Sequence, residues 1–124
     1  MLNNYSIQVV ENICVVRYHH KPTFSEVLSS INDASNMGEF NRRLWIYEDT
    51  ADLQSDEIQK VASLCKAKWP VPSKVAIVTP NDHSFGLARM HDVYREQEGV
   101  ETRVFRTEIE AIVWLSNDNS MRNP

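Results

Sequence analysis

Hydrophobic and polar positions along the chain follow two periods, one typical of strands and one typical of helices. Two β-rich runs, Tyr5 to Val10 and Ile13 to Tyr18, are separated only by Glu11-Asn12. Two residues between strands, one of them an Asn that tolerates positive φ, predict a tight hairpin. Lys74 to Val78 is a continuous apolar run, which predicts a strand that is buried on both faces.

Apolar residues recur every three or four positions in four segments, and each segment predicts a helix. The first follows Thr23 and Glu26, which are spaced as a capping box, and ends near Met37-Gly38 with Gly at the C-cap. The second has Ser55 as its predicted N-cap and stops at Pro70. The apolar positions of these two helices are Phe24, Val27, Leu28, Ile31 and Ala34, then Ile58, Val61, Ala62, Cys65 and Trp69.

The other two predicted helices flank the last strand. One follows a turn at Thr79 to Asp82. Its apolar positions are Phe85, Leu87, Ala88, Met90, Val93 and Tyr94. The strand Thr102 to Phe105 then enters the last helix through almost no loop, and Thr107 and Glu110 are spaced as a second capping box. We expect Ile109, Ile112 and Val113 of this helix to cover the sheet.

With a further strand at Leu44 to Tyr47, the predicted order of elements is β-β-α-β-α-β-α-β-α. This order predicts an α/β fold with a single mixed five-stranded sheet covered by about four helices, in which the strands after the hairpin are parallel. A chain of 124 residues is expected to form one domain. We place that domain at residues 1–115 and a polar C-terminal tail at residues 116–124.

Composition and charge narrow the class of partner. A net charge of −4 argues against nucleic-acid binding, which requires a concentrated basic field. No apolar run approaches the length of a membrane span, so no membrane insertion is expected. The two cysteines, Cys14 and Cys65, lie in apolar patterns that favour burial. With an N-terminus that lacks a signal-peptide pattern, these features predict a cytoplasmic protein.

Three stretches carry a resemblance to a known family. They are Lys74-Val-Ala-Ile-Val78, Phe85-Gly-Leu-Ala-Arg-Met90, and Val104-Phe-Arg106 with Glu110-Ala-Ile-Val-Trp-Leu115. In these stretches the chain resembles the bacterial SpoIIAA-like (STAS/SEC14-like) proteins, and the resemblance extends from Tyr5 to Leu115. It implies a STAS-like fold and a function in protein binding or ligand sensing.

The resemblance also points to a phosphorylation site. STAS proteins that antagonise anti-sigma factors carry a phosphorylatable Ser or Thr at the start of the second helix, in an Asp-Ser-x-Gly-like context. The corresponding region here reads Asp52-Leu-Gln-Ser-Asp-Glu57, which lacks the Gly and adds two carboxylates after Ser55. Those carboxylates would repel a phosphate. Phosphorylation of Ser55 or Thr50 is therefore disfavoured, and a plain N-cap role for Ser55 is favoured.

Polar residues follow two of the predicted parallel strands, at the edge where ligands bind in open α/β sheets. The candidate ligand- or partner-binding residues there are Asp49, Thr50, Asp52, Ser55, Thr79, Asn81 and Asp82. Carboxylates after the third strand resemble a Mg²⁺ site of receiver-like domains, but the Lys that such sites need near the last strand is missing. A solvated acidic loop is the favoured interpretation, and no metal is predicted.

No sequence motif indicates catalysis. The chain has no GxSxG, Walker A or GxGxxG motif, and we predict no catalytic residue and no cofactor. Trp69 and the outward residues of the third strand are the aromatic side chains whose exposure would indicate a partner surface or an apolar groove.

Three functional hypotheses follow. The leading one is a non-enzymatic regulatory or protein-interaction domain that binds an unknown protein partner or itself as a homodimer. The alternative is a small-molecule or lipid-binding domain with an apolar groove between sheet and helices that holds a small apolar ligand. An enzyme that uses Asp49 or Asp52 ranks last.

Overall fold

The structure, a computed structural model, describes residues 4–49, 53–69, 73–79 and 100–117. Five strands and three helices lie in these ranges. They are β1 (Tyr5–Val10), β2 (Ile13–Tyr18), α1 (Phe24–Ser35), β3 (Arg42–Tyr47), α2 (Ser55–Lys68), β4 (Ser73–Val78), β5 (Val100–Phe105) and α3 (Glu108–Ser116). The helix predicted between β4 and β5, with its Phe85 to Tyr94 apolar positions, lies outside the described residues.

The strands form a single mixed sheet in the order β1-β2-β3-β4-β5. β1 is antiparallel to β2, and each later pair is parallel. The predicted α/β class and mixed five-stranded sheet are therefore confirmed. The hairpin is tight as predicted, with φ of 50° at Glu11 and 69° at Asn12, and two successive positive φ values are typical of a type I′ turn.

Side chains alternate between the two faces of the sheet, and each face has its own core. The first face, which packs against α1 and α2, buries residues from β2, β3, β4 and β5 that include Val16, Trp45 and Ile77. The second face packs against α3, where Leu44 and Ala76 contact a cluster that contains Leu115. All six residues of β4 are buried, which confirms that this strand is covered on both faces.

The start of α1 was predicted well. Thr23 Oγ1 accepts the N–H of Glu26 at 3.1 Å, and Glu26 Oε1 accepts the N–H of Thr23 at 2.9 Å, so the capping box is complete. The predicted apolar stripe faces inward, with Val27 and Ile31 buried. The C-terminal end differs, because Asn36 is the C-cap and Gly38 lies two residues further on at a φ of 145°.

The start of α2 lies one residue from its predicted position. Gln54 is the N-cap and Ser55 is the first helical residue, so the expectation that Ser55 is the N-cap was wrong. The reason is the reach of Glu57, whose Oε1 accepts the N–H of Gln54 at 2.8 Å. A Glu at the third helical position bonds back to the N-cap, which fixes the helix start. The predicted stripe from Ile58 to Trp69 is buried.

The last helix, α3, turns a different side to the sheet than predicted. Ala111 and Leu115 are fully buried, whereas Ile109, Ile112 and Val113 are 77%, 39% and 66% exposed. The expectation that these three residues cover the sheet was therefore wrong. The small Ala111 side chain lets the helix lie close to the sheet, so the buried side is set by the pair at i and i+4.

The aromatic residues that were candidates for exposure lie in the first core. Trp45 and Trp69 are buried and pack edge-to-face with ring centroids 5.8 Å apart. Tyr47 is half-buried and stacks on Tyr18 at 4.8 Å. Cys14 and Cys65 are buried as predicted. These aromatic side chains are used for packing and leave no aromatic surface at Trp69.

Candidate functional site

The carboxyl ends of the parallel strands bring polar side chains together at one edge of the sheet. Register pairs Tyr18 with Tyr47 and Val78 with Phe105, so the four parallel strands end side by side. The chain leaves β5 at this edge and enters α3 through Arg106 and Thr107. The N-terminal end of α3 therefore lies at the edge where ligands bind in open α/β sheets.

Arg17 is the centre of this edge. Its Nη1 lies 2.8 Å from Glu48 Oε2 and 2.8 Å from Glu108 Oε2, and its Nη2 donates to Glu108 Oε1 at 3.0 Å. The bond to Glu108 is bidentate, which is the most directional geometry that an arginine and a carboxylate can adopt. One guanidinium thus connects β2, the residue after β3 and the first residue of α3.

Electrostatics fix the charges of this cluster. The hydrogen bonds from Arg17 hold the pKa of the Glu108 carboxyl below its usual value, and the same two carboxylates raise the pKa of Arg17. On the first face, burial raises the pKa of the Tyr18 and Tyr47 hydroxyls. These shifts move the pKa values away from neutrality, the opposite of what a general acid or base requires. The cluster is suited to holding elements together.

An open pocket of about 280 Å³ lies beside the ion pairs. Its floor is apolar, formed by strand residues such as Ile46 and Val78, and its rim carries charges of both signs. The lining residues are Arg17, Ile46, Tyr47, Glu48, Val78, Arg106 and Glu108. Its volume lies just below the usual range for small-molecule sites.

The structure locates only some of the predicted site residues. Asp49 is exposed one residue beyond Glu48. Thr79 is fully buried at the end of β4, where its N–H donates to the Phe105 carbonyl at 3.1 Å. Within the part of the chain that the structure describes, its Oγ1 has no hydrogen-bond partner. Ser55 begins α2, and its side chain is not described. Thr50, Asp52, Asn81 and Asp82 lie outside the described residues.

A second cation holds the other end of α3. Lys74 is fully buried in β4, and its Nζ donates to the carbonyl oxygens of Trp114 at 2.5 Å and Asn117 at 3.1 Å. A cation favours the C-terminal end of a helix, where carbonyl groups are left without helical partners. Lys74 Nζ also lies 4.3 Å from the centroid of the Trp114 ring. The sheet thus contacts α3 through a cation near each end.

The outer side of α3 is the second surface of interest. We call Ile109, Ile112 and Val113 the α3 stripe; they lie at i, i+3 and i+4 and are exposed together. Because Ala111 and Leu115 pack on the sheet, the nine-residue helix is apolar on two opposite sides. A helix that is hydrophobic nearly all round is typical of a buried position.

Sequence reasoning did not single out Arg17, Lys74 or the exposure of the α3 stripe. Arg17 and Lys74 had a detectable signal, since each is a lone charged residue in a strand that is otherwise largely apolar. A charge in such a strand needs a partner, and the partner lies on α3 in both cases. The stripe had no such signal, because apolar spacing does not distinguish the inner side of a helix from the outer side when both are apolar.

Across residues 4–49, 53–69, 73–79 and 100–117, no group of three or more His, Cys, Asp or Glu side chains is placed to hold a metal ion. In the same ranges, no helix is long and apolar enough to cross a bilayer.

Comparisons with known proteins leave the family open. No protein-family model matches the chain, and neither a search of curated proteins nor a search of solved structures finds a match.

Proposed function

We propose that the chain is a non-enzymatic protein-interaction domain of STAS-like type. The observation that carries this proposal is the α3 stripe, in which Ile109 is 77% and Val113 66% exposed. Single exposed apolar side chains are ordinary, but a contiguous group on one helix side is typical of an interaction surface. A partner that covers the stripe would remove this apolar area from water.

The way α3 is held favours the same function. Arg17 bonds to Glu108 at the first residue of the helix, and Lys74 bonds to carbonyls at its last turn. A surface that is fixed before binding loses less conformational entropy when a partner docks. The resemblance to STAS-like proteins supports the same class, since protein binding is one of the functions it implies.

Site-specific photo-crosslinking in the native cell tests the proposal. A benzophenone amino acid at position 113 is expected to give a discrete covalent adduct with a protein partner. The same group at Met37, which is 48% exposed near the end of α1, is the matched control and is expected to give none. Absence of an adduct from positions 109 and 113, or an identical adduct from position 37, would contradict the proposal.

The pocket at the carboxyl edge supports a second candidate, a small-molecule-binding domain. Its apolar floor and charged rim suit a small molecule with an apolar body and a polar end. Native mass spectrometry of the purified protein should then detect one bound small molecule per chain. Arg106→Ser, which removes one rim cation, should reduce that occupancy, whereas Lys60→Ser on α2 should not. Wild-type protein that carries no small molecule would count against this candidate.

A further inference from the structure

We infer that the partner of the α3 stripe is a second copy of this chain, docked with the two α3 helices antiparallel about a two-fold axis. The inference rests on the proposed function, because it assigns a partner to the same surface. Apolar packing and charge complementarity, both read from α3 and its neighbours, support it.

The shape of the stripe suits self-packing. Ile109 and Val113 lie one turn apart, with Ile112 beside them. In an antiparallel pair, Ile109 of one copy meets Val113 of the other, and the relation holds in both directions. A two-fold interface requires this self-complementarity, since each residue contact must occur twice.

The charges around α3 favour the antiparallel direction. Glu108 and Glu110 lie in its first turn. At the other end, the exposed Arg103 carries its guanidinium 5.6 Å from the Trp114 ring. An antiparallel pair places the acidic end of one helix beside the basic end of the other. A parallel pair would place ends of like charge together, which is unfavourable.

One ion pair is specified by this geometry. Glu110 and Trp114 are four residues apart and therefore share a flank of α3, and Arg103 stacks on the same Trp114 ring. In an antiparallel pair related by a two-fold axis, the same flank of each helix lies on the same side of the interface. The N-terminal end of one helix then lies beside the C-terminal end of the other. Glu110 of each copy consequently faces the partner's Arg103, and the contact forms twice per dimer.

The size of the α3 stripe sets the expected affinity of the dimer. A standard stable interface buries about 800 Å² per partner, and three exposed side chains with a charged rim supply less than that. We therefore expect a reversible dimer with a dissociation constant of roughly 10 to 100 µM. Such a dimer is detected by concentration-dependent sedimentation.

Analytical ultracentrifugation of the full chain tests the apolar part of the proposed dimer interface. The wild-type protein should shift from its monomer mass of 14.3 kDa towards twice that value as concentration rises. Ile109→Gln/Val113→Gln should weaken association at least about tenfold, because it removes the apolar contact while Gln keeps good helix propensity. Met37→Gln, an exposed apolar residue elsewhere, should leave association unchanged. A wild-type protein that stays monomeric up to about 1 mM would overturn the inference.

Charge reversal tests the antiparallel geometry. Glu110→Arg and Arg103→Glu should each weaken association about five- to tenfold, since each places like charges opposite each other twice per dimer. The double variant should restore association to within about threefold of wild type, because the ion pair re-forms with its charges exchanged. Glu39→Arg repeats the charge change on an exposed residue between α1 and β3 and should have no effect. Singles that weaken association without rescue in the double variant would overturn the antiparallel pairing.

The adduct from the photo-crosslinking experiment separates this inference from the proposed function. An adduct of twice the chain mass from position 113 supports a dimer through α3. An adduct with another protein from position 113 preserves the interaction domain but overturns self-association. A dimer that crosslinks from Gln8 on the edge strand β1, and not from position 113, overturns the α3 interface. If no position gives an adduct, both the proposed interaction function and the dimer are contradicted.

Discussion

Two single cations on largely apolar strands, the partly exposed Arg17 and the buried Lys74, decide how α3 is attached. Arg17 and Lys74 reach the two ends of this helix from different strands. Their presence could be predicted as an anomaly in an apolar strand, but their partners could not. Glu108 is 91 residues from Arg17, and the Trp114 carbonyl is 40 residues from Lys74. Contacts at such separations follow from tertiary packing and have no local sequence signal.

We predict that Glu108→Gln lowers the free energy of unfolding by about 0.5 to 1 kcal/mol at pH 7, the range for a partly exposed ion pair with good geometry. Because Arg17 lowers the pKa of Glu108 in the folded state, its contribution is present above the unfolded pKa, near 4.3. It is lost as the pH falls further, through the folded pKa.

Urea unfolding at several pH values measures this effect. The difference between wild type and Glu108→Gln should begin to shrink below about pH 4 and should approach zero only once the pH has fallen through the lowered folded pKa of Glu108, where both side chains are uncharged. Glu39→Gln, an exposed glutamate, should differ little from wild type at any pH. A difference that is constant with pH would show that the ion pair is not its source.

Two buried threonines predict stabilising substitutions. Thr102 on β5 and Thr79 after β4 are fully buried, and neither hydroxyl has a hydrogen-bond partner among the described residues. Thr→Val keeps the branched shape and removes a buried polar atom, so each variant should gain up to about 1 kcal/mol of stability. Thr23→Val is the contrast, because the Thr23 hydroxyl caps α1 and its loss should destabilise by about 1 kcal/mol. Thermal unfolding that is lowered by Thr102→Val would contradict this prediction.

At the scale of elements, the hairpin turn, the cap of α1 and the buried sides of α1 and α2 were predicted correctly, whereas the start of α2 and the buried side of α3 were not. The hairpin turn and the Thr23–Glu26 box depend on residues within four positions of each other, so the sequence contains them fully. The start of α2 moved by one residue because Glu57 selected Gln54 in place of Ser55. The buried side of α3 was mispredicted because six of its nine residues are apolar, so which side faces the sheet depends on the tertiary packing of Ala111 and Leu115.

The hairpin turn offers a prediction at this scale. Glu11 adopts a φ of 50°, a left-handed conformation that Glu tolerates poorly and Asn tolerates well. Glu11→Asn should therefore raise the free energy of unfolding by about 0.5 to 1 kcal/mol. Glu39→Asn makes the same exchange outside the turn and should give no gain. The two variants are compared by urea unfolding, and equal effects would rule out a turn-specific cause.

At the scale of the whole molecule, the sheet separates two cores of described residues, one on each of its faces. The fold class and the parallel strands could be predicted from the order of elements, because α/β alternation restricts topology strongly. The site could be predicted only as an edge of the sheet. Which residues meet there depends on strand register, and the Arg17 cluster combines residues 17, 48 and 108.

Both cysteines lie in the first core and should report its opening. Cys14 on β2 and Cys65 on α2 are 1% and 3% exposed, and burial raises the pKa of the Cys14 thiol. We predict that neither reacts with a thiol reagent in the native state and that both react together when the protein unfolds. Ser25→Cys on the exposed side of α1 should react at once. Mass spectrometry of pulse-labelled protein that finds Cys65 modified alone would show that α2 opens separately.

The placement of the three tryptophans has an optical consequence. Trp45 and Trp69 are in contact in the first core, whereas Trp114 lies on the second face between the charges of Lys74 and Arg103. Intrinsic fluorescence therefore has two spatially separate sources, one on each side of the sheet. With Trp45 and Trp69 replaced by Phe, the remaining tryptophan emission comes from Trp114 on α3 alone. Trp114 then serves as an intrinsic fluorescent probe beside the α3 stripe.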